Sequence, residues 1–587
     1  MSTVPNAQAE SSTNNTDSNG EHLNPKTTRW WRESEWLWLL VIVFIAHFFR
    51  LDVLSVRGEE SRRGMIAQEI LWTGNWVVPS LQGEAWFSRP PLQYWAVAVS
   101  IWLRGQCDVI AIRVPSVLAT LLTTFLVFGY SRTFLSRMGA FSAAAAFATM
   151  GQILKLGRLA ETEAVFTLFL SGALLVWHWG YIRRWALWRM WMAGYALAAL
   201  ATLAKGSQGP VYFVGSVTVF LLLMRDWRKL FSVGHLLGIL TFLVIFGGWL
   251  SLYYQQMGLS GVRRIMSEAA SERFYYNDWW PVAKHFVLYP LEIFACMMPW
   301  SVMLLGFTRP TFRKAIGNTS TALPFLLTCI FLTFPTCWLA PGARSRYWMP
   351  LYPCVAPLIG LVIQRCLEAP AGSTLRKAWG HFLLCCVGLL FSITVLALVG
   401  IPLQRVGGLH LKQPAWVASA FAIVLVPLCV LIYRNRETNE PFKTRLAVGA
   451  LAVCLGLSYS VWLTNVLMNR SVGTRQAVAQ LKQKLGPDEK LVSINRIYHL
   501  FAFHYRDPIQ KVSEKTAITE FPEDIEFFCF GVWNGYGPKI PFAWEKVTVI
   551  NCDRTLRPCD PEMVVVVGRR LPQQRAEGPM PLWRSSN

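Results

Sequence analysis

Residues Ala415–Tyr433 read AWVASAFAIVLVPLCVLIY, with no Asp, Glu, Lys or Arg, and Arg434 and Arg436 follow at once. A helix needs about 20 apolar residues to cross the hydrocarbon of a bilayer, so this stretch predicts a membrane span. It is not alone. Comparable runs lie at 36–54, 91–103, 114–131, 139–154, 162–179, 190–204, 208–224, 236–254, 286–305, 322–340, 347–363, 379–399 and 445–465. With 53% apolar residues over 587 positions and a mean hydropathy of +0.35, the chain reads as a polytopic α-helical membrane protein and not as a soluble domain.

The formal charge is +22, from 56 basic and 34 acidic residues. Many of the cations sit in short links between apolar runs: Arg183, Arg184 and Arg189; Arg225, Arg228 and Lys229; Arg309, Arg313 and Lys314; Arg376 and Lys377; Arg434, Arg436 and Lys443. That series marks cytoplasmic connections, and it argues for contact with membrane lipids and against nucleic acid. The polar segment 1–28 reads as a disordered cytoplasmic tail. A cytoplasmic N-terminus and an exterior region after 465 require an odd number of crossings, so thirteen are expected within 29–465. The stretch 139–154 is then the best candidate not to cross fully, with 91–103 the other short one.

The chain changes character after 470. Strand-like runs such as Leu491–Ile494, Val547–Ile550 and Val564–Val567, separated by Pro, Gly and Asp, predict a mixed α/β domain over 470–587, outside the membrane. Cys552 and Cys559, with Cys529 as a further candidate, are placed for a disulfide in an oxidising compartment, and free thiols are the alternative. Two connections, 55–90 and 255–285, are expected as long exterior loops. Gly64–Leu71 within the first predicts a short helix with Met65, Ile66, Ile70 and Leu71 towards the membrane.

The first loop holds Glu59-Glu60-Ser61-Arg62-Arg63 and, further on, Arg89. Adjacent side chains point apart, so one of the two carboxylates can face a cavity while the other pairs with a local Arg. A carboxylate is suited to general-base work, and guanidinium groups to holding phosphate. Further charges recur at ends of apolar runs: Arg158, Glu161 and Glu163; Lys205 in Ala-Lys-Gly-Ser; and Arg344, Arg346 and Tyr347. Ordinary helix-end charge and snorkelling are the competing readings of these. The histidines are dispersed and form no metal pattern.

The order of motifs resembles that of the membrane glycosyltransferases that use polyprenyl-phosphate sugars, the superfamily of aminoarabinose lipid A transferases and protein mannosyltransferases. Glu59-Glu60-Ser61-Arg62 is similar to their Asp-Glu-Thr-Arg segment, and Gly74-Asn75-Trp76-Val77-Val78-Pro79 and Trp86-Phe87-Ser88-Arg89-Pro90-Pro91 follow in family order. The resemblance implies the GT-C membrane fold and an inverting sugar transfer from an undecaprenyl-phosphate-type donor to a lipid (such as lipid A), glycan or protein acceptor. It also implies a bacterial inner-membrane location, with the site and the C-terminal domain facing the periplasm.

By resemblance Glu59 and Glu163 take the acidic catalytic positions, and Arg62, Arg89, Lys205 and Arg346 the donor-phosphate positions. Glu60, Arg158 and Tyr347 are secondary candidates. The chain departs from the pattern at Glu59, where Asp is usual, at Ser88, where aminoarabinose transferases carry Glu, and near Ala270, where they carry His. No metal site is assigned and no cofactor is predicted, while dependence on a divalent metal stays an open alternative. Aminoarabinose specificity is not carried over. A lipid-phosphate transporter or flippase is the alternative of a different class, and a structural assembly protein a third.

Overall fold

A computed structural model describes residues 34–571 except 57–58, 272–278, 311, 313–320, 401–404, 407–408, 411–413, 439, 469–472, 487–488, 518–520, 523, 533–535 and 553–563. The proposed tail at 1–28 and Cys559 lie outside the described residues.

Every one of the fourteen apolar stretches contains a helix. In hydrocarbon no water satisfies backbone N–H and C=O groups, so an apolar run has to close its hydrogen bonds on itself. Among the described residues seven helices are long and apolar enough to cross a membrane; they become eight if Trp279–Cys296 and Trp300–Thr308, bent by 117° at their junction, count as one. This is an integral membrane protein. Helix starts carry local caps: Asp108 accepts from the Ala111 N–H at 2.8 Å, and Ser136 from the Gly139 N–H at 3.1 Å.

The two short segments separate by surroundings. Leu92–Arg104 has 13 residues, about 20 Å of helix and less than a bilayer core. Its inward residues Tyr94, Val97, Ala98 and Ile101 pack with residues of the C-terminal domain. Arg137–Thr149, expected to be the incomplete span, also has 13 residues; it is buried inside the bundle from Gly139 to Thr149 and packs on Tyr352–Glu368. Small residues allow that approach. A Cβ built on Gly360 would lie 2.5 Å from the Gly139 carbonyl oxygen and 2.7 Å from the Ala143 Cβ. Gly360→Ala is therefore expected to force the two helices apart and lower stability by about 1–3 kcal/mol, read as a lower melting temperature in detergent.

The C-terminal domain holds a five-stranded mixed sheet in the order Gln510–Val512, Leu491–Ile494, Phe527–Val532, Val564–Arg570, Trp544–Asn551. The first two pairings are parallel and the last two antiparallel. The unbroken Val564–Val567 run follows from burial on both faces. Val565 and Val567 face the helices, and Val566 joins Phe528 and Phe530 on the far side. Cys529, the further disulfide candidate, is a buried free thiol in the central strand, and Cys559, the expected partner of Cys552, is outside the described residues.

Two loop expectations change. The 255–285 region is mainly helical, because Gly248–Ser271 continues the membrane helix through a kink at Gly258, where φ is 65°. Glu60–Thr73 is a helix, ended by Gly74 in the left-handed region at φ 71°. Its apolar face does not turn to the membrane: Met65, Ile66 and Ile70 are buried with Leu500, Phe501 and Phe503 of the C-terminal domain. A Cβ on Gly64 would lie 2.8 Å from the Phe503 ring, which is how close the two elements come. The hairpin Ser80–Leu81/Glu84–Ala85 strengthens the docking. Gln82 donates to the Ile497 carbonyl at 2.8 Å and accepts from its N–H at 3.0 Å, and Lys511 donates to Glu84 at 2.6 Å.

Candidate active site

Two antiparallel helices, Thr162–Ile182 and Leu187–Lys205, have 21 and 19 residues and a short connection. Nearly equal length brings the first turn of one beside the last turn of the other, at the end of the bundle that carries the sheet domain. Glu163 and Lys205 meet there, Nζ to Oε1 at 3.2 Å, both buried. The Lys205 ammonium also lies 4.8 Å from the centre of the Tyr347 ring and 5.4 Å from that of Phe166. The side chain is held inside the protein and does not snorkel.

The 3-10 turn Ser345–Tyr347 delivers Arg346 to the same place. Its Nε is 3.5 Å from Glu163 Oε1 and its Nη1 3.7 Å from Glu161 Oε2. From the first-loop helix Arg63 reaches Glu161 Oε2 at 2.8 Å. Glu161 and Arg63 thus join two carboxylates and three cations into one buried network. Burial pushes the Glu161 carboxyl up, opposed first by the charge of Arg63.

Arg89 comes from the segment before helix Leu92–Arg104 and lies near enough to Lys205 for the two cations to repel. Its own Nη1 donates to the Ser88 carbonyl at 2.9 Å, and among the described residues no carboxylate pairs with it. Tyr94 is buried within the fields of Arg63, Arg89, Arg62 and Glu59, which places the first loop against the network. Five cations, Arg62, Arg63, Arg89, Lys205 and Arg346, surround three carboxylates, Glu59, Glu161 and Glu163. The excess of positive charge in a partly dry site favours an anionic ligand.

The two adjacent carboxylates separate. Glu59 precedes the helix, is 39% exposed at its side chain, and pairs with Arg62 one turn on. Glu60 is fully buried: Arg113 donates to Oε1 at 2.7 Å and to Oε2 at 2.8 Å, and the Ala160 N–H donates to Oε1 at 2.8 Å. Glu60 therefore ties the first loop to the bundle and does not line a cavity. Arg158 is also withdrawn, with Nη2 donating to the Phe49 and Arg50 carbonyls at 3.1 and 2.8 Å. Tyr347 is buried beneath Lys205 and Arg346.

Sequence reasoning placed Glu161 and Arg63 near the site without a role, and it assigned no residue of the C-terminal domain to the site. His499 shares a hydrogen bond with Ser61 Oγ at 2.7 Å, and its Nε2 lies 3.5 Å from an Arg62 nitrogen. Arg62 and Arg496 both lie against the Trp86 ring, at 4.6 and 5.1 Å. Partners more than 400 residues apart leave no mark in local spacing. No three His, Cys, Asp or Glu side chains gather into a metal-binding group among the described residues. The side chain of Ala270 is not among them.

A family model described as dolichyl-phosphate-mannose-protein mannosyltransferase matches residues 88–251. An undecaprenyl phosphate-alpha-4-amino-4-deoxy-L-arabinose arabinosyl transferase of Edwardsiella ictaluri is 27% identical over 348 residues, 57% of this chain and 62% of that protein. The corresponding Pseudomonas aeruginosa (strain LESB58) protein is 26% identical over 411 residues, 67% of this chain and 69% of its own length. The alignment thus spans less than two thirds of the first of these relatives. The crystal structure of ArnT from Cupriavidus metallidurans bound to undecaprenyl phosphate shares the fold, with a TM-score of 0.67 at 18% identity, covering 92% of this chain and 98% of that one. By fold and by these sequence matches, the chain is similar to the membrane glycosyltransferases that include the aminoarabinose transferases and the protein mannosyltransferases.

Proposed function

We propose that this chain transfers one sugar from a polyprenyl-phosphate donor to a lipid, glycan or protein acceptor of the cell envelope. The site and sheet domain face the periplasm of a bacterial inner membrane crossed thirteen times. The observation that carries the reading is Arg89: a cation with no carboxylate partner among the described residues, set beside Lys205 and the Arg346 network. A donor phosphate meets that need, while its prenyl chain stays among the apolar helices. The relatives' names support the same donor class.

In this reading Glu59 takes the proton of the acceptor group as that group forms a bond to the anomeric carbon. The bond from that carbon to the phosphate oxygen breaks, and the electron pair leaves with the polyprenyl phosphate. Attack opposite the leaving phosphate inverts the anomeric centre. Arg62, Arg89, Lys205 and Arg346 balance the charge released on the phosphate. Glu163, bound to Lys205 and Arg346, orients these cations.

Reconstitution with a panel of polyprenyl-phosphate sugars and isolated envelope acceptors, read by mass spectrometry, tests the proposal. Acceptor mass must rise by one sugar residue. Lipid movement across the vesicle with no sugar transferred from any donor would favour the transporter instead. Arg89→Ala is expected to raise the donor KM about 10–100-fold through loss of a charge-assisted phosphate contact. An unchanged donor KM would remove Arg89 from the phosphate site.

A further inference from the structure

A positively charged cavity lies beside this charge network and is built mostly from segments outside the family motifs. It has a volume of about 310 Å³ and is lined by Glu84, Ala85, Trp86, Phe87, Arg264 and Arg496. Three separate parts of the chain contribute: the first-loop hairpin and the two residues after it, the continuation of the membrane helix beyond Gly258, and the C-terminal domain. Each guanidinium lies over a ring, Arg264 at 4.3 Å from the centre of Phe87 and Arg496 at 5.1 Å from that of Trp86.

A stacked guanidinium keeps its in-plane N–H groups for oxygen ligands, and forks of this kind match phosphate or carboxylate. Within the cavity little competes for them. Glu84 is committed to Lys511 at 2.6 Å and is only 4.0 Å from Arg496 at its nearest. The Lys511 hydrogen bond, with the charges of Lys511 and Arg496, holds the Glu84 carboxyl below the usual carboxylate range. Arg264 has no carboxylate partner among the described residues. Arg62, on the same Trp86 ring, adds repulsion to Arg496. An oxyanion between the forks relieves the repulsion, and the volume suits a group of sugar-phosphate size.

We propose that Arg264 and Arg496 form a subsite for an acidic group, phosphate or carboxylate, carried by the acceptor. Trp86 links it to the reacting groups, since its ring bears Arg62, the partner of Glu59. The C-terminal domain would then select acceptors by charge, through a residue far from the donor site in sequence. This rests on the sugar-transfer reading for the identity of the ligand, but the cavity's affinity for an oxyanion can be measured without it.

The test has two arms, both on the full chain in phosphatidylcholine nanodiscs, which supply no anionic headgroup. In the first, glucose 6-phosphate and glucose are titrated by calorimetry. Glucose 6-phosphate is expected to bind more tightly than glucose. Arg264→Gln with Arg496→Gln should weaken it about tenfold or more. Arg264→Gln alone, at an exposed helix position, is expected to weaken it about threefold and guards against misfolding of the double variant. Equal binding by wild type and both variants overturns the subsite. In the second arm, an acidic acceptor is compared with its neutralised form. The double variant should raise KM for the acidic acceptor about tenfold and leave the donor KM and the neutral acceptor unchanged. A rise in donor KM alone assigns the cations to the donor and overturns the proposal. If wild type transfers no sugar, the function fails while the first arm still decides the subsite.

Discussion

Glu59→Gln is expected to fold as wild type does and to transfer sugar about 10²–10⁴-fold more slowly, the range over which a positioned general base acts. The side chain sits at the site edge, part exposed, with Arg62 as its partner. Gln keeps the size and still offers an oxygen to Arg62, so little stability is at stake in a pair this exposed. What it loses is a place for the acceptor's proton. The measurement is kcat at saturating donor and acceptor, with the melting temperature as control. Full-rate transfer by Glu59→Gln would end its role as base, and a lowered melting temperature would move it into the structural class.

The residue next to it should behave in the opposite way. Glu60→Ala is expected to destabilise the protein by about 3–5 kcal/mol, because it leaves the Arg113 guanidinium buried without its counter-charge. Arg113 is 1% exposed and retains only carbonyl partners, at Leu51, Leu54 and Ser55. The Ala160 N–H loses its acceptor as well. The damage should be partly reversed in Glu60→Ala/Arg113→Met, where both charges are gone and an apolar side chain fills part of the space. Thermal unfolding in detergent, followed by loss of the monodisperse peak, reads the series. A Glu60→Ala protein with the wild-type melting point would show that the pair carries no stability.

The two carboxylates mark the limit of what the chain reveals locally. Their adjacency in Glu59-Glu60 predicts that they diverge, but both are the same residue type and both have an arginine nearby in sequence. The motif resemblance ranks Glu59 above Glu60, and the packed structure supplies the physical difference through Arg113, 53 positions away, and the Ala160 N–H. Glu161 shows the same limit. Its place before an apolar run resembles helix-end charge, and its pairing with Arg63 and Arg346 appears when three elements converge.

The helix Glu60–Thr73 shows a different failure. Its apolar spacing is legible and so is its end at Gly74, yet its apolar face meets Phe501 and Phe503 and not lipid. An amphipathic pattern states that a face is buried and does not state against what.

The sequence by itself determined the helical membrane class, the position of all fourteen apolar stretches, the change to a sheet domain after 470 and the motif series that leads to Arg89. These rest on local quantities: hydropathy over the length of a bilayer, alternation in strands, and the order of charged and aromatic residues. Tertiary structure alone decided that Glu60 is buried against Arg113 and that Arg496 and His499 join the first loop. Such contacts depend on how elements dock, and a chain whose partners lie 438 residues apart, as Ser61 and His499 do, records no local periodicity for them.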